Sequence, residues 1–220
     1  MAYVPVTIFL AIIVAVLLNQ NIRGRSVYRV LYYLPVITMP AAVAMVWRWL
    51  YNADFGLFNH FLRLIGVEPK GWLTDPKLAL GSIAVVAIWS GIGYRMIIFL
   101  SGLQGISSQY YEAAEIDGAG PLHKFFSITL PLLTPTIFFT TIITLINALQ
   151  VFDIIFMMIA SDGTSVVLKE TQSVVYLFYQ YAFVLNNKGY ASAIAIVLFA
   201  IIMLLTAIQM KLQEKWVTYE

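Results

Sequence analysis

Residues 109–131 read QYYEAAEIDGAGPLHKFFSITLP, and this is the one long polar interruption in an otherwise apolar chain that has the marks of a folded device. Ser107 and Ser108 just before it suit the N-cap of a short helix. Glu112 and Glu115 then fall in that helix's first turns, where negative charge meets the positive end of the helix dipole. Gly118 and Gly120 end it. Both can take the left-handed conformation that closes a helix, and Pro121 suits the first turn of the next, where its missing N–H is not needed. The predicted local structure is helix, sharp turn, helix. Ala113 and Ala114 leave one side of the first helix nearly flat, so it can approach a groove on another protein while the acids reach the rim.

The surroundings fix the class. The chain has 220 residues, 61% hydrophobic and 11% charged, with mean hydropathy +0.85, too apolar for a soluble domain with a charged surface. Five stretches are long enough to cross a hydrocarbon core, which takes about 20 helical residues. They are Tyr3–Asn19, Val30–Tyr51, Leu78–Leu103, Leu132–Ala160 and Tyr190–Met210. The expected fold is therefore an all-α integral membrane protein, a polytopic helical bundle of about five membrane helices. The first stretch has no basic region before it and no cleavage site after it, so it reads as a membrane helix and not a signal peptide. A net charge of +2 spread over few charges points to neither nucleic acid nor a basic membrane patch. With no cysteine, and with His60 and His123 isolated, no thiolate or metal centre is expected.

Orientation follows from the loop NIRGRSVYR, which carries Arg23, Arg25 and Arg29 without an acid and is expected in the cytoplasm. Alternation then places 52–77 outside, 104–130 inside, 161–189 outside and the tail from Lys211 inside. The loop charges, six basic residues inside against five outside, add little. Outside, Phe55, Leu57, Phe58, Phe61, Leu62 and Ile65 have helical spacing and suggest a short interfacial helix before the turn GWLTDP. A second such piece, Glu170–Phe183, interleaves Tyr176, Tyr179 and Tyr181 with apolar residues, as expected at headgroup level. The two either anchor at the interface or form a surface for a soluble partner.

Taken alone, a helical corner with these glycines more often marks an ordinary αα turn. Here Glu112-Ala113-Ala114, Gly118, Ile128, Leu130 and Pro131 reproduce the Glu-Ala-Ala, Gly, Ile-x-Leu-Pro pattern, and the chain resembles permease subunits of binding-protein-dependent ABC importers. The text YEAAEIDGAG and ITLPLLTP is similar to the maltose-type branch, which imports sugars, oligosaccharides and glycerol phosphates. The resemblance covers the chain from about Leu10 to Lys215 and implies one permease domain over 1–220. Family members carry at least one further helix upstream, so the chain corresponds to their portion from the second helix onward. The resemblance makes 104–131 a cytoplasmic coupling loop, with Glu112, Ala113, Ala114, Asp117, Gly118, Ile128, Leu130 and Pro131 contacting an ATPase. It also implies an ATPase dimer as partner, with ATP and Mg held there and no cofactor in this chain. A second, similar permease subunit, an extracytoplasmic solute-binding protein and membrane lipid complete the set, in a bacterial inner membrane.

Polar side chains within membrane helices are costly and tend to face an interior or a cavity. In the fourth stretch Thr144, Asn147, Gln150 and Asp153 recur every third residue, as one drifting stripe able to bond sugar hydroxyls. In the third, Gly91, Gly93 and Tyr94 suggest a loosened helix with a ring for a pyranose. In the second, Pro35 and Pro40 flank Thr38 and free backbone carbonyls. Each also fits simple helix packing or hydrogen bonding between helices. Arg95 and Asp153 are charges costing about 2.5–3.5 kcal/mol at mid-helix, and their mutual pairing is the expected relief, with attraction of an anionic solute as the alternative. Arg48, between Trp47 and Trp49, reads as an interfacial anchor. No Gly-x-x-x-x-Gly-Lys-Ser/Thr loop and no nucleophile–base–acid set occurs, so a non-catalytic subunit powered by a partner is expected. The competing readings are an ATP-independent, ion-coupled carrier or channel, and a membrane-embedded enzyme or assembly factor.

Overall fold

The computed structural model describes residues 2–159 and 165–216, without the side chains of 165 and 214–216. Ala160, the beginning of the second outer loop at 161–164 and the Lys215 side chain therefore lie outside the described residues. Every described element is helical: α1 (Tyr3–Asn19), α2 (Arg25–Ile37), α3 (Pro40–Leu50), α4 (Leu57–Leu64), α5 (Pro76–Gly105), α6 (Ser108–Ile116) and α7 (Pro121–Lys124). A π-helical turn, Phe125–Thr129, leads into α8 (Leu130–Leu132) and α9 (Thr134–Leu149). Then follow α10 (Asp153–Met158), α11 (Ser165–Thr171), α12 (Val174–Tyr179) with a π-helical extension Gln180–Val184, and α13 (Lys188–Trp216).

Of the five expected crossings, α5 and α13 are uninterrupted and long enough to span. The second is split between α2 and α3 at Thr38 and Met39, where Pro35 and Pro40 remove successive donors. The fourth is not one helix: Gln150 to Phe152 separates α9 from α10, with Phe152 at φ −134° and ψ −56°. The first, α1, is a 17-residue apolar helix.

The chain divides into two compact units. One comprises 1–36, 91–146 and the chain from 203. Its core is a seam between α1 and α5. Ile8, Ala11, Ala15 and Leu18 recur at helical spacing on one side of α1, and Met96, Phe99, Leu100 and Leu103 do so on α5, with Leu133 closing the cluster. Ala11 and Ala15 are fully buried, and small residues at such a seam let the helices approach where lipid gives no hydrophobic drive for association. Gly93 serves the same end: a Cβ there would lie 2.1 Å from the carbonyl oxygen of Tyr32 on α2.

The other unit comprises 37–90 and 147–202. Val43 and Ala44 of α3, Ala79, Ile83 and Val86 of α5, and Ile155 and Met158 of α10 form its centre. Trp47 extends it, with ring centroids 5.4 Å from both Tyr51 and Trp89 and 6.1 Å from Phe58. Arg48 does more than anchor: Nη1 donates to the Met157 carbonyl near the C-terminus of α10, where a cation meets the negative end of the helix dipole. The expected interfacial helix is α4, with Phe61 and Leu64 exposed. Beneath it Asn59 is fully buried. Its Nδ2 donates to the carbonyls of Asn52 (3.4 Å), Ala53 (3.0 Å) and Lys70 (2.9 Å), while Oδ1 accepts from Lys70 N (3.0 Å) and Trp72 Nε1 (2.9 Å). One amide thus pins the loops on both sides of α4. In the second interfacial piece Tyr176 is buried against Phe152 and Tyr179, whereas Phe183 and Val184 are exposed.

Asn59→Ala leaves several buried donors and acceptors unpaired, each worth roughly 1–3 kcal/mol. Thermal unfolding is expected to show a loss of about 3 kcal/mol or more, with new proteolytic cleavage between residues 50 and 76; an unchanged transition would rule out this pinning role.

Candidate functional site: the polar corner and the intramembrane polar residues

The corner forms as its sequence dictates, with two differences. Ser107 caps α6, its hydroxyl accepting from Gln109 N at 3.4 Å. Asp117 follows as the C-cap, and Gly118 takes the left-handed conformation at φ 74°. Gly118 N donates to the Glu115 carbonyl (3.0 Å) and Ala119 N to that of Ala114 (2.8 Å), the paired closure of a Schellman motif. Gly120, also expected to be left-handed, is instead extended at φ −71° and ψ 167° and serves as the N-cap of α7, with Pro121 in its first turn. Glu112 and Glu115 lie beyond the first turn of α6, so the dipole benefit expected for them is small. Glu115 has another role: its Oε1 accepts from Lys124 Nζ at 2.6 Å, tying α6 to α7.

Two further contacts fasten the corner to the bundle. Tyr111 Oη and Thr129 Oγ1 are hydrogen-bonded at 3.0 Å, and Thr129 also donates to the Lys124 carbonyl. The path out of the corner passes two prolines four residues apart, Pro131 and Pro135. The π-helical turn, closed by Leu130 N to the Phe125 carbonyl, widens the backbone just before Pro131. Pro135 cannot donate to the Pro131 carbonyl, and Thr134 Oγ1 does so in its place at 2.7 Å. The helices on either side, Pro121–Leu132 and Thr134–Leu149, meet at 63°. Ile128, Leu130 and Pro131 are half-buried along this exit, whereas Glu112, Ala113 and Asp117 are exposed and Ala114 half-exposed. Sequence reasoning passed over the outer apolar residues: Ile116 is 87% and Leu122 73% exposed. Two large apolar side chains left bare on a polar corner are the signal it could have used.

The intramembrane candidates are not brought together as one stripe. Thr144 is fully buried in α9; its hydroxyl donates to the Thr140 carbonyl (2.6 Å) and accepts from Arg95 Nε (2.7 Å). Asn147 is exposed near the end of α9 and Gln150 lies past it, lining a cavity of about 240 Å³ with Phe178, Leu198 and Phe199. Asp153 is exposed in the first turn of α10, where the helix dipole favours it. Gly91 and Gly93 do not break α5, which is continuous over 30 residues; they make room for neighbours. Tyr94 is 42% exposed on the same helix, and Thr38 sits in the break between α2 and α3. Arg95 is only 4% exposed. The expected partner, Asp153, is replaced by neutral groups: Thr144 Oγ1, the Gly91 carbonyl at 2.9 Å, and the Tyr3 ring with its centroid 5.9 Å from Cζ. Among the described residues no group of three or more His, Asp or Glu side chains is placed to hold a metal ion.

A fold of apolar helices long enough to cross a membrane, interrupted by a closed polar corner, fits a component of a membrane transport system. The chain belongs to the family described as binding-protein-dependent transport system inner membrane component, which matches residues 7–219. It is 39% identical to the probable ABC transporter permease protein YesP of Bacillus subtilis, over 100% of this chain and 71% of that protein. It is 36% identical to the trehalose/maltose transport system permease protein MalF of Thermococcus litoralis, over 90% of this chain and 65% of that protein. To the sn-glycerol-3-phosphate transport system permease protein UgpA of Brucella abortus it is 37% identical, over 95% and 70%. The chain thus spans about two thirds of the length of these relatives. Its fold matches, at TM-score 0.86 and 21% identity over 96% of this chain and 75% of the other, a bacterial alginate ABC transporter solved with an alginate pentasaccharide-bound periplasmic protein.

Thr144→Val removes the acceptor of a buried guanidinium and is expected to cost roughly 2–3 kcal/mol, while Thr144→Ser restores it. Unfolding of the three proteins in detergent checks this; equal stability of the valine and serine variants would remove the clamp.

Proposed function

We propose that this chain is the membrane-spanning permease subunit of an ATP-driven, binding-protein-dependent importer for a sugar or a related polyol or sugar phosphate. The observation that carries this is the corner itself: α6 and α7 are closed by Gly118, tied to each other through Glu115 and Lys124 and to the bundle through Tyr111 and Thr129, while Ile116 and Leu122 stay bare. Bare apolar side chains on a rigid polar element suit a partner surface. The relatives support the solute class, their names covering trehalose/maltose and sn-glycerol-3-phosphate transport.

In this reading ATP, with Mg, binds to a dimer of partner ATPase subunits, and this chain supplies no catalytic group. Closure of that dimer draws together the corners of this chain and of a second, similar permease, rocking the two bundles toward the outside. Solute delivered by an extracytoplasmic binding protein then enters, and hydrolysis resets the pair. The side chains proposed to meet solute are those left accessible, Tyr94, Asn147, Gln150 and Asp153, with Thr38 and Gly91 at helix irregularities or close contacts. Thr144 contributes indirectly, by holding Arg95. An ion-coupled carrier is disfavoured because, among the described residues, Arg95 is engaged by neutral groups.

The test is co-purification with the ATPase and ATP-dependent uptake. Gly118→Val forces a β-branched residue into the left-handed region, Glu112→Lys reverses a rim charge, and Ile116→Asp removes an apolar anchor. Each is expected to weaken ATPase association by roughly tenfold or more, about 1.4 kcal/mol, with thermal unfolding of the bundle preserved for the two α6 variants. Uptake that persists without any ATPase would sink the proposal.

A further inference from the structure

The loop that sets the orientation also contains an unusual arrangement of like charges. Arg25 and Arg29, one turn apart on α2, both reach the end of α5; with the Gln104 amide assigned so that its oxygen faces them, each Nη2 lies 3.3 Å from that oxygen, which accepts from both. The two guanidinium groups are therefore separated by no more than twice that distance. Both are half-buried, and Arg29 Nε is buried without a hydrogen-bond partner. Arg23 stands exposed two residues before Arg25. Among the described residues no carboxylate pairs with any of the three. A single neutral amide cannot offset two converging cations, so the arrangement calls for an anion with several acceptor oxygens.

The helix that carries these arginines tells which anion. No residue of α2 is buried, and Val27, Val30, Leu31 and Leu34 are each 50% or more exposed. Basic groups at one end and a bare aliphatic face running away from them match a phosphate joined to acyl chains. We propose that Arg25 and Arg29, with Arg23 at the rim, hold the phosphate of an anionic phospholipid of the cytoplasmic leaflet, its acyl chains lying along α2. This rests on the proposed orientation of the chain.

The full chain, purified in a neutral detergent, is titrated with phosphatidylglycerol, with phosphatidylcholine and with inorganic phosphate while thermal unfolding is followed. Phosphatidylglycerol is expected to raise the midpoint by about 5 °C beyond phosphatidylcholine when well above its Kd. The shift should vanish in R25Q/R29Q and largely survive in R25K/R29K, which keeps the charges. An equal shift in R25Q/R29Q, or the same shift from inorganic phosphate alone, overturns the lipid site; so does the absence of any shift, as expected if a second permease subunit and not lipid covers α2. If R25Q/R29Q cannot be recovered folded, native mass spectrometry of the unaltered chain decides: retained phosphatidylglycerol supports the site and lipid-free spectra overturn it. The chain has no cysteine, so Ser26→Cys can be labelled uniquely. Labelling by an impermeant thiol reagent in intact cells overturns the cytoplasmic assignment and the orientation with it, whereas protection together with no lipid response overturns the site alone.

Discussion

A backbone that crosses lipid must satisfy its own amides and carbonyls, because no water is present to do so. At several helix starts and interruptions a side chain replaces the missing backbone group. Thr134 stands in for the amide absent at Pro135, Asp75 accepts from Lys77 N at the start of α5, and Ser173 accepts from Tyr176 N at the start of α12. Asn59 is the extreme case, with five bonds from one amide side chain where α4 and its loops leave the regular pattern.

The charged residues obey the same rule in a harsher form. Among the described residues, Arg95 is met by neutral groups and not by an acid. It draws on a hydroxyl, a carbonyl and a ring, those of Thr144, Gly91 and Tyr3, while Arg48 donates to a carbonyl at the end of α10. Several neutral dipoles around a guanidinium fix its position without making the site dependent on a second ionised group. The one ion pair described within the corner, Glu115 with Lys124, lies at the surface, where such pairs are worth up to about 1 kcal/mol. Its value is geometric, since it selects one angle between α6 and α7.

Much of this was legible in advance. The apolar runs located α1 to the residue, α5 within two residues at each end, and the start of α13 within two, while α13 continues six residues past the expected end through its polar tail. The corner was readable because Gly118 and Pro121 each carry a specific backbone requirement. The fourth stretch misled: Asn147, Gln150 and Asp153 read as a polar stripe along one helix, whereas they cluster where α9 ends and α10 begins. A period-three pattern presupposes one helix, so the stripe from Thr144 to Asp153 dissolved with it. Arg95 was misjudged because pairing by charge is the simpler rule, whereas the partners found depend on which helices pack together. Asn59 was overlooked as one more polar residue in an amphipathic segment, for its bonds reach eleven and thirteen residues along the chain.

The hydroxyl that serves Pro131 has a consequence for how such a sequence can change over time. With proline at 135, the amide that would ordinarily reach the Pro131 carbonyl from one turn on is missing, and the Thr134 hydroxyl donates to that carbonyl. Serine is the conservative exchange at 134, because it keeps the hydroxyl. If an ordinary residue returned to position 135, its amide could resume the bond and the constraint on 134 would lapse. The order of substitutions that costs least is therefore directional: the hydroxyl first and then the proline on the way in, and the reverse on the way out.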